Sequence, residues 1–250
     1  LALEKFFKNN GLFLFDVDGT LAESAQPLTK SMIDMLKKLS EKDILCLVSG
    51  GIYEKLITQI GKENESLFKY IFAENGCVVY QNGELLSIKN IKDELEEYEI
   101  QDIIHTILYY IIKVKIPYKR GKFIDFRTAM LYISPTGSDI TQEERVEFAK
   151  YDEEHNVRKK MIEYLETSFA SKYDLDIKLG GQIGLALNPR GWDKSLALKY
   201  LNLSEYENIY FFGDRCDLNG NDHCLFINKF IRGFEVNNPR HTFSILRTFL

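Results

Sequence analysis

Gly11-Leu12-Phe13-Leu14-Phe15-Asp16-Val17-Asp18-Gly19-Thr20 is the stretch that decides how this chain folds. Its apolar half is strand-sized and stops at an acid, a second acid two residues on, and a glycine. An unbroken apolar run implies a strand covered on both faces, as in a parallel sheet. Side chains at i and i+2 share a face in extended backbone, so Asp16 and Asp18 would leave the strand together. Two carboxylates held together repel and call for a cation or a shared proton. Magnesium suits such a place, because it takes few carboxylates, keeps waters and accepts phosphate oxygens as further ligands.

The same pattern recurs outward from this stretch. Ile44-Leu45-Cys46-Leu47-Val48 ends in Ser49-Gly50-Gly51, Tyr70-Ile71-Phe72-Ala73 is a third strand, and Ile209-Tyr210-Phe211-Phe212 ends in Gly213-Asp214. Helices fall between them. Thr29 can cap one in which Met32, Ile33, Leu36 and Leu39 share a face, and another is expected over residues 53–60. Apolar strands alternating with amphipathic helices predict an α/β fold, a parallel sheet with helices on both faces. Ligands bind such sheets outside the carboxyl ends of the strands, so three distant polar clusters should meet at one edge. There Asp16, the Asp18 region and Asp214 could hold one divalent cation. A carboxylate such as Asp16 can also attack phosphorus and form an aspartyl phosphate. That step needs charge neutralisation and in-line placement, from a metal, a lysine and backbone amides. Lys194, in Gly191-Trp192-Asp193-Lys194, is the candidate lysine. Ser49 and the amides around Gly50 are candidates to hold phosphate oxygens.

The middle of the chain follows a different rule. Asn82-Gly83 predicts a hairpin between residues 77–80 and 85–88. A long helix follows with Leu95, Ile103, Ile107 and Ile111 on one face. Strands are expected near 123–127, 131–134, 177–179 and 183–187. Thr141-x-x-Glu144 forms a capping box, and another helix covers 157–169. This is an α+β segment inserted in an α/β one. The expected division is a core of residues 1–85 and 188–250 and an inserted domain of residues 86–187.

Composition narrows the classes. The 250 residues carry 37 acids against 32 bases, a net charge of −5, where a general nucleic-acid binder would carry a basic excess. Cys46, Cys77, Cys216 and Cys224 form no C-x-x-C pair, so neither a structural zinc site nor a disulfide framework is expected, and reduced thiols suggest a cytoplasmic setting. Residues 1–10 look helical, without the apolar core and cleavage site of a signal peptide. No apolar run approaches the roughly 20 residues that span a bilayer.

Residues 13–21 (FLFDVDGTL) resemble the signature of the haloacid dehalogenase superfamily of phosphatases and phosphomutases. Over nearly its whole length the chain resembles the eukaryotic phosphomannomutase family. The resemblance is carried by Glu74-Asn75-Gly76, Lys119-Arg120-Gly121, Phe126-Arg127, Ser134-Pro135, residues 142–148 (QEERVEF), 180–183 (GGQI), 191–194 (GWDK), 210–214 (YFFGD) and 220–223 (GNDH). It implies a Rossmann-like haloacid dehalogenase core with an α+β cap domain that closes on substrate and forms a homodimer. It also implies interconversion of mannose 6-phosphate and mannose 1-phosphate, with magnesium as cofactor and a hexose 1,6-bisphosphate as activator. Asp16 would be phosphorylated and Asp18 would be the general acid/base. Asp214 would complete the metal site with Asp16 and the Asp18 backbone, supported by Asn221 and Asp222. Arg127 and Arg145 fall where the family has cap arginines, whose planar forks match phosphate oxygens; each could instead serve a surface ion pair. The basic run over 113–122 could attract an anionic sugar or simply be a solvated edge.

The departures from the family lie at substrate-contacting positions. Ala25 and Ser138 stand where the family has arginines, and Gly184 and Ala186 where it has serine and aspartate; Thr128-Ala129 is also altered. Lys119, Arg120 or Lys122 could substitute. Three functional readings follow: a mutase with altered contacts, a sugar-phosphate phosphatase, and a non-catalytic sugar-phosphate-binding or regulatory homologue. The intact Asp16 and Asp18 disfavour the last. His223 is expected to be a structural hydrogen-bonding residue, since magnesium prefers oxygen, and Trp192 to pack near an interdomain hinge.

Overall fold

The computed structural model describes residues 11–169 and 171–250. The helix expected over residues 1–10 lies outside them. In chain order the elements are β1 (Gly11–Phe15), α1 (Lys30–Ser40), β2 (Ile44–Val48), α2 (Tyr53–Ile60), β3 (Phe68–Ala73), β4 (Val78–Gln81) and β5 (Glu84–Ile88). Next come α3 (Glu97–Lys113), β6 (Ile124–Phe126), β7 (Leu131–Ile133), α4 (Gln142–His155), α5 (Val157–Phe169), β8 (Leu175–Gly180) and β9 (Gly184–Pro189). The chain ends with β10 (Asn208–Gly213), α6 (His223–Phe226), β11 (Arg232–Glu235) and α7 (Pro239–Leu246).

Seven strands form one sheet in the order β11-β10-β1-β2-β3-β4-β5. The first five run parallel and the last two return as antiparallel strands. Alternation along β1 explains the two covered faces. Phe13 and Phe15 point into a core with Leu36 of α1 and Leu56 of α2, while Leu12 and Leu14 point into another with Leu201 and Leu225. The sheet is thus buried on both sides, as the unbroken apolar runs require. Thr29 caps α1 by accepting from the Met32 amide.

The second sheet has the order β6-β7-β9-β8, with all pairs antiparallel. Leu131, Ile133, Leu185 and Leu187 pack on α3 and α5 through Ile103, Ile107, Met161 and Leu165. The alternate residues of these strands, Tyr132 and Ala186, face the other way and line a cleft against the larger sheet. The capping box at Thr141 and Glu144 is formed. β5 continues to Ile88 in the first sheet and β9 to Pro189 in the second, so both run past the division expected at 85/86 and 187/188.

Where the chain passes between the sheets, Trp192 packs with Cys77, Ala129 and Leu196. Nearby, Glu74, Asn75 and Gly76 all adopt positive φ. This turn lets the Glu74 carboxylate accept the Ala129 amide at 2.8 Å, tying the strand end of one sheet to the approach to the other. All four cysteines are free. No helix among the described residues is long and apolar enough to cross a membrane.

Candidate active site

Parallel β1, β2 and β10 end side by side, and the polar residues that follow them meet in one cleft of about 190 Å³. Asp16 follows β1, Ser49 follows β2 and Asp214 follows β10, and all three line it. Opposite them stand Arg127, Tyr132 and Arg145. The expected gathering of three clusters at one sheet edge is what the topology delivers.

Lys194 is the electrostatic centre of the floor. It opens a short 3-10 turn capped by Asp193, and its side chain is fully buried. Its Nζ donates to Asp16 Oδ1 at 2.5 Å and to Asp222 Oδ1 at 2.6 Å. Asp222 also accepts the Arg215 amide at 2.9 Å. One cation therefore faces two buried carboxylates, with Asp214 close behind. Asp16, Asp214 and Asp222 can each offer an oxygen within 4.8 Å of the others. Burial pushes the Asp16 carboxyl up to about 7, with Lys194 pulling it back and Asp222 adding to the rise. Burial and then Asp16 push Asp214 up to about 8. Asp16 and Asp222 hold the Lys194 ammonium above its ordinary range against the effect of burial.

These features fit a divalent cation. The cluster offers oxygen donors alone, its charges exceed what Lys194 neutralises, and Gly19 leaves the approach to Asp214 open. A Cβ at Gly19 would lie 2.5 Å from Asp214 Oδ2.

Asp18 is held differently. Its carboxylate pairs with Lys55 and accepts from the Ala25 amide and Gln59 Nε2, both at 2.8 Å. Burial opposes ionisation there, but Lys55 and these bonds prevail and keep the carboxyl below its usual range. The side chain of Asp18 is therefore outside the three-carboxylate cluster, and a lysine supplies its countercharge. Lys55 and Gln59, one turn apart on α2, were not singled out from sequence. The only signal is that both are polar positions on an amphipathic helix.

Ser49 is buried, and its Oγ accepts the Gly51 amide at 3.1 Å. Arg127 reaches across the cleft, donating to Gly50 O at 2.7 Å and to Asp125 Oδ2 at 2.8 Å. Arg145 donates to Ser138 O at 2.8 Å. Arg120 is not brought to the cleft: its half-exposed side chain pairs with Glu144 at 3.3 Å. None of the basic residues over 113–122 lines the cleft. Gly184 is buried behind Tyr132, which fills the room a side chain there would need. Ala25, Ser138 and Ala186 do line the cleft. His223 Nδ1 lies 2.9 Å from the Cys216 carbonyl, the structural role expected of it.

Solved structures define the fold class. The C-terminal domain of C. albicans trehalose-6-phosphate phosphatase superposes with a TM-score of 0.65 at 18% identity, covering 96% of this chain and 92% of that one. A haloacid dehalogenase-like hydrolase from Bacteroides thetaiotaomicron gives 0.59 at 16%, covering 96% and 100%. The fold is a Rossmann-like haloacid dehalogenase core with an inserted α+β cap. Sequence carries the assignment further. The family model described as eukaryotic phosphomannomutase matches residues 32–250. Phosphomannomutase 2 of Dictyostelium discoideum is 40% identical over 241 residues, 96% of each chain. A phosphomannomutase of Oryza sativa subsp. indica is 41% identical over 236 residues, 94% of each. The chain belongs to the eukaryotic phosphomannomutase family.

Proposed function

We propose that this protein interconverts mannose 6-phosphate and mannose 1-phosphate by passing a phosphoryl group through Asp16. The observation that carries the reading is the Asp16–Lys194–Asp222 constellation, set at the floor of a cleft whose opposite wall bears two arginines. Family membership supports the substrate.

In this reading Asp16 attacks the phosphorus of a hexose 1,6-bisphosphate activator. The bond from phosphorus to the sugar oxygen breaks as the bond to Asp16 forms, and Asp18 returns a proton to the departing oxygen. The hexose monophosphate then attacks phospho-Asp16 while Asp18 takes its hydroxyl proton, regenerating the bisphosphate. Turned end for end, the bisphosphate returns its other phosphate to Asp16. Magnesium, held by Asp16, Asp214 and the backbone of Asp18 with Asp222 in support, would supply charge neutralisation at the transferring group. Lys194 opposes protonation of Asp16 and orients its carboxylate. Arg127 and Arg145 would grip the phosphate that is not reacting.

The core, with its first part running through β5 to Ile88 and its second beginning after β9 ends at Pro189, would carry this chemistry, and the cap between them would close over it. Leu108, Tyr109 and Ile112 leave an apolar face of α3 exposed, which supports a homodimer through the cap. Four free cysteines support a cytoplasmic setting.

A second reading, sugar-phosphate phosphatase, draws support from Ala25, Ser138 and Ala186. These give the cleft no arginine or carboxylate at positions where the resemblance implies them, and an aspartyl phosphate that meets water is hydrolysed. The test is incubation with magnesium, mannose 1-phosphate and a catalytic amount of glucose 1,6-bisphosphate, beside an Asp16→Asn variant. Mannose 6-phosphate formed only by the wild type supports the mutase. Free phosphate without isomerisation supports the phosphatase, and neither product overturns both.

A further inference from the structure

Tyr132 lies on β7, in register with Ala186 of β9. Its ring extends over Gly184, where an ideal Cβ would come within 2.2 Å of the phenol Cζ and 2.3 Å of its oxygen. Tyr132 and any side chain at 184 thus compete for one volume. Gly184 has no need of positive φ, so this contact, and not the backbone, excludes a side chain. The Arg127 guanidinium sits over the same ring, 4.5 Å from its centroid.

The wall around this ring is poor in polar side chains: Met130, Gly180, Gly181 and Ala186 are its neighbours along the cleft. The Tyr132 hydroxyl is the side-chain polar atom on this stretch. It donates to Gly180 O at 3.3 Å, a long bond for an O–H donor. Its lone pairs accept nothing among the described residues, so it can accept from a ligand and exchange its own donation.

We propose that Tyr132 is a specificity-determining residue that bonds a ring hydroxyl of the hexose whose phosphate Arg127 holds. This rests on the reading of the cleft as a hexose phosphate site. The phenol delivers from β7 the polar contact that position 184 on β9 cannot supply, and its ring limits the room beside that contact. A site built to hydrogen-bond one substrate hydroxyl penalises an analogue that lacks it.

Tyr132→Phe removes the hydroxyl and keeps the ring, its volume and the arginine above it. The test titrates mannose 1-phosphate and its 2-, 3- and 4-deoxy analogues into wild type and variant by calorimetry, with magnesium and without bisphosphate. Loss of one hydrogen bond to a sugar should raise Kd for mannose 1-phosphate about tenfold, the ratio that corresponds to about 1.4 kcal/mol. For one deoxy analogue, the one missing the partner hydroxyl, wild type and variant should bind alike. Equal weakening for all four sugars, or no weakening for any, overturns the proposal. A second comparison tests the shared volume: Tyr132→Ala should bind about tenfold more weakly, and the same change combined with Gly184→Ser should bind within about threefold of wild type, since a serine hydroxyl then reaches the vacated space. A double variant no better than Tyr132→Ala refutes that compensation. A wild type that binds none of these sugars overturns the functional reading itself, whereas a wild type that binds them all while Tyr132→Phe matches it overturns Tyr132 alone.

Discussion

The two walls of the cleft are built on opposite terms. On the floor, most charges are pinned by close partners: Lys194 between Asp16 and Asp222, Lys55 on Asp18, and Asp222 on the Arg215 amide, while Asp214 has only Arg215 Nε, at 3.5 Å, among the described residues. On the facing wall, Arg145 holds a carbonyl, Arg127 shares Asp125 with Lys122, and Ser138 and Ala186 present little. Transfer of a phosphoryl group demands charges that do not reorganise, so the floor groups are held in place. Gripping different ends of a sugar phosphate demands contacts that exchange, so the wall is sparse.

Lys194→Ala should break the contrast most severely. It leaves Asp16 and Asp222 buried without their cation, and removal of one member of such a group costs about 3–5 kcal/mol. Thermal melting should show that loss, partly recovered by millimolar magnesium, with activity undetectable. Melting unchanged by the substitution would mean the carboxylates are not held as charges. Asp16→Asn is the contrasting change: it removes a repelling charge and the proposed nucleophile together. Transfer should vanish while the melting temperature stays the same or rises, measured in magnesium-free buffer. A fall in melting temperature would count against strain among the floor carboxylates.

On the wall, Arg127→Ala should raise KM for the hexose phosphate by about ten- to a hundredfold, as a charged hydrogen bond is worth roughly 1.5–3 kcal/mol. An effect confined to kcat would place Arg127 among the groups that act only in the transition state. Arg120→Ala should change KM less than about twofold, because exposed ion pairs contribute roughly 0–1 kcal/mol and neither partner of this one lines the cleft.

The pH dependence separates the walls as well. Asp16 and Asp214 have folded values raised from 3.8 to about 7 and about 8. An acid raised by folding keeps its proton longer folded than unfolded. Metal-free stability should therefore fall as pH climbs from near 4 through 8. A divalent cation should reverse that trend, so magnesium should raise the melting temperature more at pH 8 than at pH 6. An equal increment at both would exclude these carboxylates as the ligands.

Much of this arrangement is legible in the residues. The unbroken apolar runs of β1, β2 and β10 dictate a doubly covered sheet, and the polar residues after each dictate where the floor forms. Thr29, the box at Thr141 and Glu144, and the Asn82-Gly83 turn are short-range signals, and each is realised. β11 was not anticipated: Arg232-Gly233-Phe234-Glu235 is an edge strand with charged ends and a glycine, which carries no periodic signal. α7 was missed although Asn238-Pro239 is a usable start, Asn238 accepting the His241 amide. The countercharge on Asp18 is hidden for another reason. Lys55 is an ordinary exposed helix lysine until the fold brings it to a carboxylate 37 residues earlier. Arg120, beside a family-like Gly121, illustrates the converse, since matching residues need not share a destination.

The bond from Arg127 to the Gly50 carbonyl has a consequence for turnover. In the proposed reaction a doubly phosphorylated sugar must release one phosphate from the wall, reverse, and offer the other. A guanidinium abandoned in a closed cleft would be a bare charge, and the reversal would be slow. Arg127 has Asp125 and Gly50 waiting within hydrogen-bonding distance. Letting go is then an exchange of partners at nearly constant bonding, and the sugar can turn without leaving.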